Sequence, residues 1–148
     1  MNELLSLKNR NYALSGGTGT LGGSIAEYLV RNGANVLLLG RSEDKLKTKQ
    51  DELNTIVTNS THIFKVDVMN EGQLTILRKE IKEEFKHLDG LVNLAGGNIP
   101  GATLKPDQTI QDIAMGDTQK VVDINLFGTV IPTVILSQLM VEQGYGSI

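Results

Sequence analysis

Cysteine is absent from these 148 residues, which excludes disulfides and thiolate chemistry and fits a cytoplasmic setting. An excess of charge of one sign is absent too: 14 lysines and arginines are interspersed with 17 aspartates and glutamates, a net charge of −3. That balance leaves no electrostatic footprint for nucleic acid, and no nucleic-acid partner is expected. Long apolar runs are missing. One uncharged stretch, residues 126–141, is 16 residues and holds Pro132, Ser137 and Gln138. That is short for a membrane span and reads as a buried helix, so no membrane partner is expected. Residues 1–10 lack the apolar core of a secretory signal. His62 and His87 stand alone, without metal-ligand spacing, and no metal is expected. A hydrophobic content of 40% and a charged content of 21% are those of a globular domain with a sizeable core.

Glycine, by contrast, is concentrated in one place. Residues 15–23 read Ser-Gly-Gly-Thr-Gly-Thr-Leu-Gly-Gly, after the apolar run Tyr12-Ala13-Leu14 and before an amphipathic run over residues 21–32. A strand, a glycine turn and a helix start in this order cradle a dinucleotide pyrophosphate. Glycines let the backbone approach the phosphates, and the free N–H groups of the helix's first turn face the anion. Gly17-x-Gly19-x-x-Gly22 fits the dinucleotide fingerprint. Asn32-Gly33 stops the helix, and the apolar run at residues 35–39 closes a βαβ unit of the expected length. No Lys-Ser or Lys-Thr follows the glycines, which disfavours a nucleoside triphosphate loop.

Strands and helices alternate along the rest of the chain. A polar helix is predicted over residues 42–53, a third strand over 62–66, a helix over 70–87 and a fourth strand over 91–94. In the third helix Leu74, Leu77, Ile81, Phe85 and Leu88 fall at helical spacing. Residues 96–117 hold four glycines and two prolines and read as a long loop that covers a ligand. The last helix, over residues 118–143, is apolar on nearly every face, which predicts burial by the sheet and by another subunit, hence a homo-oligomer. Gly144 ends it, and residues 146–148 read as the entry to a fifth strand. Such alternation implies an α/β fold with a doubly wound, parallel, Rossmann-like sheet.

Four features in order resemble the short-chain dehydrogenase/reductase family. They are the glycine turn at residues 15–22, Asp67-Val68 after the third strand, Asn93-Leu94-Ala95-Gly96 after the fourth, and Asp123-Ile124-Asn125 in the long helix. The resemblance implies a nicotinamide dinucleotide held by Gly16, Thr18, Gly19, Thr20, Leu21, Gly22, Arg41, Asp67, Val68, Asn93, Ala95 and Gly96. Asp67 and Val68 would hold the adenine. It implies that Asn125 serves the proton relay through its backbone. The spacing Gly16-x-x-Gly19-x-x-Gly22 matches the family's extended branch, which includes sugar-nucleotide epimerases, whereas Asn93 and Asn125 match the compact branch. The loop over residues 97–107 is similar to that of compact members acting on sugar acids of the mannonate/fructuronate type.

The end of the second strand carries Gly40-Arg41 in place of the acidic residue that binds the ribose 2′-hydroxyl of NAD. A guanidinium there grips a 2′-phosphate through charge-assisted hydrogen bonds, which favours NADP over NAD. Family members carry out carbonyl–alcohol chemistry with a serine, a tyrosine and a lysine four residues after the tyrosine. No such Tyr-x-x-x-Lys segment occurs in residues 1–148, and Tyr145 is a decoy. The expectation is an NAD(P)-binding part, truncated at the start of the fifth strand, of a longer oxidoreductase acting on a small molecule, and catalytically incomplete. A non-enzymatic dinucleotide sensor or scaffold, and an extended-branch epimerase, are the alternatives.

Overall fold

The run Asn35–Gly40 is apolar throughout because both of its faces are covered. In the computed structural model, which describes residues 6–148, it is strand β2 of a four-stranded sheet. The other strands are β1 (Asn11–Ser15), β3 (Thr61–Lys65) and β4 (Gly90–Asn93). All pairings are parallel, and the order is β3-β2-β1-β4. Along β2, Leu37 and Leu39 face one core while Val36 and Leu38 face the other. The first core packs under α3 (Glu71–Glu84) and the final helix, the second under α1 (Thr20–Arg31) and α2 (Glu43–Asn54). Alternation of a side chain's direction along a strand therefore accounts for a continuous hydrophobic run. The expected α/β sheet is present. Of residues 1–10, read above for a targeting signal, the first five lie outside the described residues.

Several helix ends differ from the periodicity. Ser42 and Asn70 are caps, not helical residues: their side chains accept from the N–H of Lys45 and Gln73. A capping oxygen satisfies a donor that has no partner within the helix. Helix α3 stops at Glu84 because Lys86 takes a left-handed conformation (φ 71°), so Leu88 reaches the core from the following turn. The stretch predicted as one loop and one helix is more articulated. Two 3₁₀ turns, Pro100–Ala102 and Ile110–Asp112, order the loop, and α4 (Met115–Val122) begins before residue 118. At the second turn Thr109 donates twice to the Asp112 carboxylate, which holds that carboxyl below its ordinary pKa. A π-helical turn, Asp123–Phe127, then separates α4 from α5 (Gly128–Gln143), and Gly144 ends α5 in the left-handed region as expected.

The helical stretch Met115–Gln143 is long and apolar enough to cross a membrane by length and composition alone. Its Ile135, Leu136, Leu139 and Met140 are built into the core instead. The expected burial on several sides is not met within this chain. The sheet and α3 cover part of α5, while Val134 is 58% and Val141 80% exposed. Residues 146–148 contribute a single parallel bridge, Gly90 to Ser147, the expected entry to a fifth strand beside β4.

At the end of the sheet remote from the glycine turn, Asn11 ties three segments together. Its buried side chain donates to the carbonyls of His87 (3.0 Å) and Phe85 (3.3 Å) and accepts from Asn35 (3.0 Å). Gln143 closes the same end by bonding both the N–H and the C=O of Leu88. Asn11→Ala leaves two carbonyls and one amide short of a partner, and we expect it to lower unfolding free energy by about 2–4 kcal/mol. Urea unfolding followed by far-UV circular dichroism measures this loss.

Candidate functional site

Strand order reverses between β1 and β4, and their carboxyl ends bound a crevice, the place where open α/β sheets bind ligands. One buried hydroxyl sets the crevice. Ser15, the last residue of β1, accepts from the N–H of Leu94 (3.0 Å) and of Ala95 (3.1 Å) just beyond β4. Gly16 then turns the chain at φ 69°, and a Cβ there would collide with the Leu94 carbonyl. A Cβ on Gly22 would collide with the Gly16 carbonyl in the same way. The working glycines are thus Gly16, Gly19 and Gly22. Gly17 packs against the Leu38 side chain and plays no part in the crevice.

Helix α1 starts at this turn with Gly19 as its N-cap, no side-chain cap and no acidic residue in its first turn. Its first N–H groups and the positive end of its dipole are therefore available to an anion. The cradle fits a dinucleotide pyrophosphate: side chains are missing where a close approach needs them missing, and donors are free where phosphate needs donors.

A cavity of about 540 Å³ runs along the carboxyl ends of the strands. Of the residues expected at a site, Gly16, Thr18, Gly19, Arg41, Asp67, Val68, Ala95 and Gly96 line it. Thr20 lies instead in a polar groove between α1 and α2, and Leu21 points outward, 66% exposed. Gly22 lies beneath the turn, its role being to let α1 pass close to Gly16. Asn93 bonds Thr133 on α5 (2.9 Å), and it borders an apolar groove along the open edge of β4. The structure therefore does not bring Thr20, Leu21, Gly22 or Asn93 to the cavity wall.

Asn125 sits in the π turn and behaves as a clasp. Its amide nitrogen donates to the carbonyls of Gly97 and Val121, both at 2.8 Å, and its oxygen accepts from the N–H of Gly97 (3.3 Å). Such turns interrupt a helix where its backbone groups are needed elsewhere. Asp67 both lines the cavity and accepts from Met69 N–H (3.0 Å), a local bond that fixes its rotamer.

The residues missed from sequence are Ser15, Ser42, Lys45, Val66, Leu94 and Ile124. Lys45 stands four residues after Arg41, a helical spacing that could have been noticed. Ser15 gave no signal beyond its place before the glycines. His62 and His87 lie far from the cavity. His62 packs edge-on against Phe85, and its burial lowers its pKa against the opposing pull of Glu84. His87 contacts Asp89 (3.1 Å) beside Asn11. Among the described residues no cluster could hold a metal.

A parallel sheet with a glycine turn feeding an uncapped helix at the strand-order reversal defines the class of open α/β dinucleotide-binding folds. Comparison narrows this: the profile of the short chain dehydrogenases matches residues 11–148, and the chain belongs to that family. An uncharacterised oxidoreductase of Staphylococcus saprophyticus is 30% identical over 98% of this chain and 59% of its own length. The structure of a short-chain type dehydrogenase/reductase from Mycobacterium ulcerans has a TM-score of 0.83 at 28% identity, over 96% of this chain and 50% of that one. A structure of NAD⁺-bound xylitol dehydrogenase also gives 0.83, at 22% identity over 95% and 51%, a likeness of fold. The chain thus spans about half the length of its relatives.

Two substitutions separate the turn from its support. Gly16→Ala is both left-handed and in collision with the Leu94 carbonyl, and we expect it to cost about 2–4 kcal/mol of stability. Ser15→Ala removes one acceptor from two N–H groups and should cost about 1–3 kcal/mol. Differential scanning calorimetry with and without dinucleotide checks both, and the ligand's stabilising shift should be lost in Gly16→Ala.

Proposed function

We propose that this chain is the cofactor-binding part of an NAD(P)-dependent oxidoreductase that interconverts a secondary alcohol and a carbonyl. The observation that carries the reading is the Gly16 turn, pinned through Ser15 to the β4 end and followed by the uncapped N-terminus of α1. Gly16, Thr18 and Gly19 hold the pyrophosphate, Asp67 and Val68 hold the adenine, and Ala95 and Gly96 border the nicotinamide side. Gly22 and Asn93 support these contacts from behind. Thr20 and Leu21 contribute their main-chain N–H groups at the start of α1, not their side chains. When bound, the nicotinamide supplies or takes up the hydride exchanged with the substrate carbon.

The protein's own contributions are orientation and proton handling. Asn125 positions the Gly97 backbone at the cavity's open end, and its main chain serves the proton relay. A sugar acid is the preferred substrate, on the character of residues 97–107. None of the three tyrosines is followed by a lysine four residues on, so residues 1–148 alone bind the dinucleotide without turnover.

NADP is the favoured cofactor. Position 40 carries no carboxylate to repel a 2′-phosphate, and a Cβ there would come within 3.3 Å of the Leu46 side chain. Arg41 is exposed and lines the cavity. A second copy of the chain is the favoured protein partner, in the cytoplasm. Val122, Leu126, Val130, Val134 and Val141 form an exposed stripe on α4–α5 at helical spacing, and an uncharged stripe suits a self-complementary contact.

Two outcomes test this reading. NADPH should bind roughly ten- to a hundredfold tighter than NADH by fluorescence titration, and Arg41→Ala should remove most of that preference. Equal affinities would contradict the cofactor choice. Val134→Glu should halve the mass measured by light scattering and leave NADPH affinity unchanged; an unaltered mass would contradict the proposed contact.

A further inference from the structure

A 2′-phosphate brings close to two negative charges at neutral pH, whereas Arg41 brings one positive charge. The cavity wall supplies a second. Lys45 lies on the first turn of α2 and lines the same cavity as Arg41, Ser42 and Thr18. Its backbone N–H bonds to the Ser42 hydroxyl, which fixes that first turn beside the end of β2.

The neighbouring charges leave this pair free. Glu43, the nearest carboxylate on α2, is paired with Lys65 at the end of β3 (3.3 Å) and does not line the cavity. Asp44 does not line it either, and Asp67, which does, bonds the N–H of Met69. Further along α2, Lys49 pairs with Glu52. Among the described residues, neither the Arg41 nor the Lys45 side chain takes part in an ion pair. Two unpaired cations and a hydroxyl at the positive end of a helix converge on one wall, an arrangement that stabilises a dianion and gains nothing from a neutral ribose hydroxyl.

We propose that Lys45 is a second specificity-determining residue for the cofactor, holding the 2′-phosphate of NADP together with Arg41 and Ser42. This rests on the reading of the cavity as an NADP site. Lys45 is a flexible point charge, so it follows the phosphate as Arg41 fixes the phosphate's plane. Its effect falls on affinity for the phosphorylated cofactor alone.

Equilibrium titration of NADPH and NADH fluorescence, which needs no turnover, tests this on the wild type, Lys45→Gln, Lys45→Arg and Lys47→Gln. Lys47 is on the same helix and outside the cavity, so it reports general loss of charge. Lys45→Gln should weaken NADPH roughly tenfold and NADH by less than about twofold, the lower range for a hydrogen bond to a charged group. Lys45→Arg should restore most of the affinity, and Lys47→Gln should change neither cofactor. Unfolding midpoints of the variants should match the wild type, because position 45 is exposed. Retention of the full NADPH preference in Lys45→Gln, or equal weakening of both cofactors, overturns the role of Lys45 while the NADP reading stands. A wild type that prefers NADH overturns that reading itself and the inference with it.

Discussion

Two amide N–H groups, those of Leu94 and Ala95, converge on the buried hydroxyl of Ser15, and the site depends on that convergence. It holds the end of β4 against the end of β1, where strand order reverses. The Gly16 turn fits only because residue 16 has no Cβ, whose place the Leu94 carbonyl takes. The same close approach brings α1 down on the Gly16 carbonyl through Gly22, and so aims the helix N-terminus into the crevice. Sheet topology, turn and anion-binding donors are one steric arrangement.

Packing on the two faces then distributes the charged groups around it. Core residues of β2 alternate between the faces, and α2 starts just after the carboxyl end of β2, close to Gly40. Leu46 lies over Gly40, and Arg41 and Lys45 line the cavity wall just beyond it. Of their carboxylate neighbours, Glu43 pairs with Lys65, and Asp67, which lines the same cavity, accepts from a backbone N–H. On the opposite face, Asn125 trades part of its helix's regularity for three bonds around Gly97 and Val121. The cavity's two ends are therefore set by different devices, unpaired cations at one and a side-chain clasp at the other.

Much of this was legible in the sequence, for identifiable reasons. Strand and helix order followed from alternating apolar runs, and the glycines marked the turn because a Cβ at Gly16 or Gly22 would collide with backbone. What escaped was whatever depends on contacts between distant segments. Ser15 looks like any polar residue ending a strand, and its partners lie 79 and 80 positions away. The periodicity of residues 118–143 concealed a π turn, since five residues of wider helix hardly disturb an all-apolar pattern. The pattern registers which faces are apolar, and within one chain the sheet and α3 cover part of them. Leu21 and Thr20 stand at the helix start, where the side chains point away from the cavity and the main-chain N–H groups are what they offer the cradle.

The most direct test of the cradle is amide chemical-shift mapping by NMR as NADPH is titrated into the 148-residue protein. The account predicts saturable shifts concentrated at Gly16 to Gly22, Arg41 to Lys45 and Ala95 to Gly97. Shifts confined to α4–α5, or none at saturating nucleotide, would contradict it.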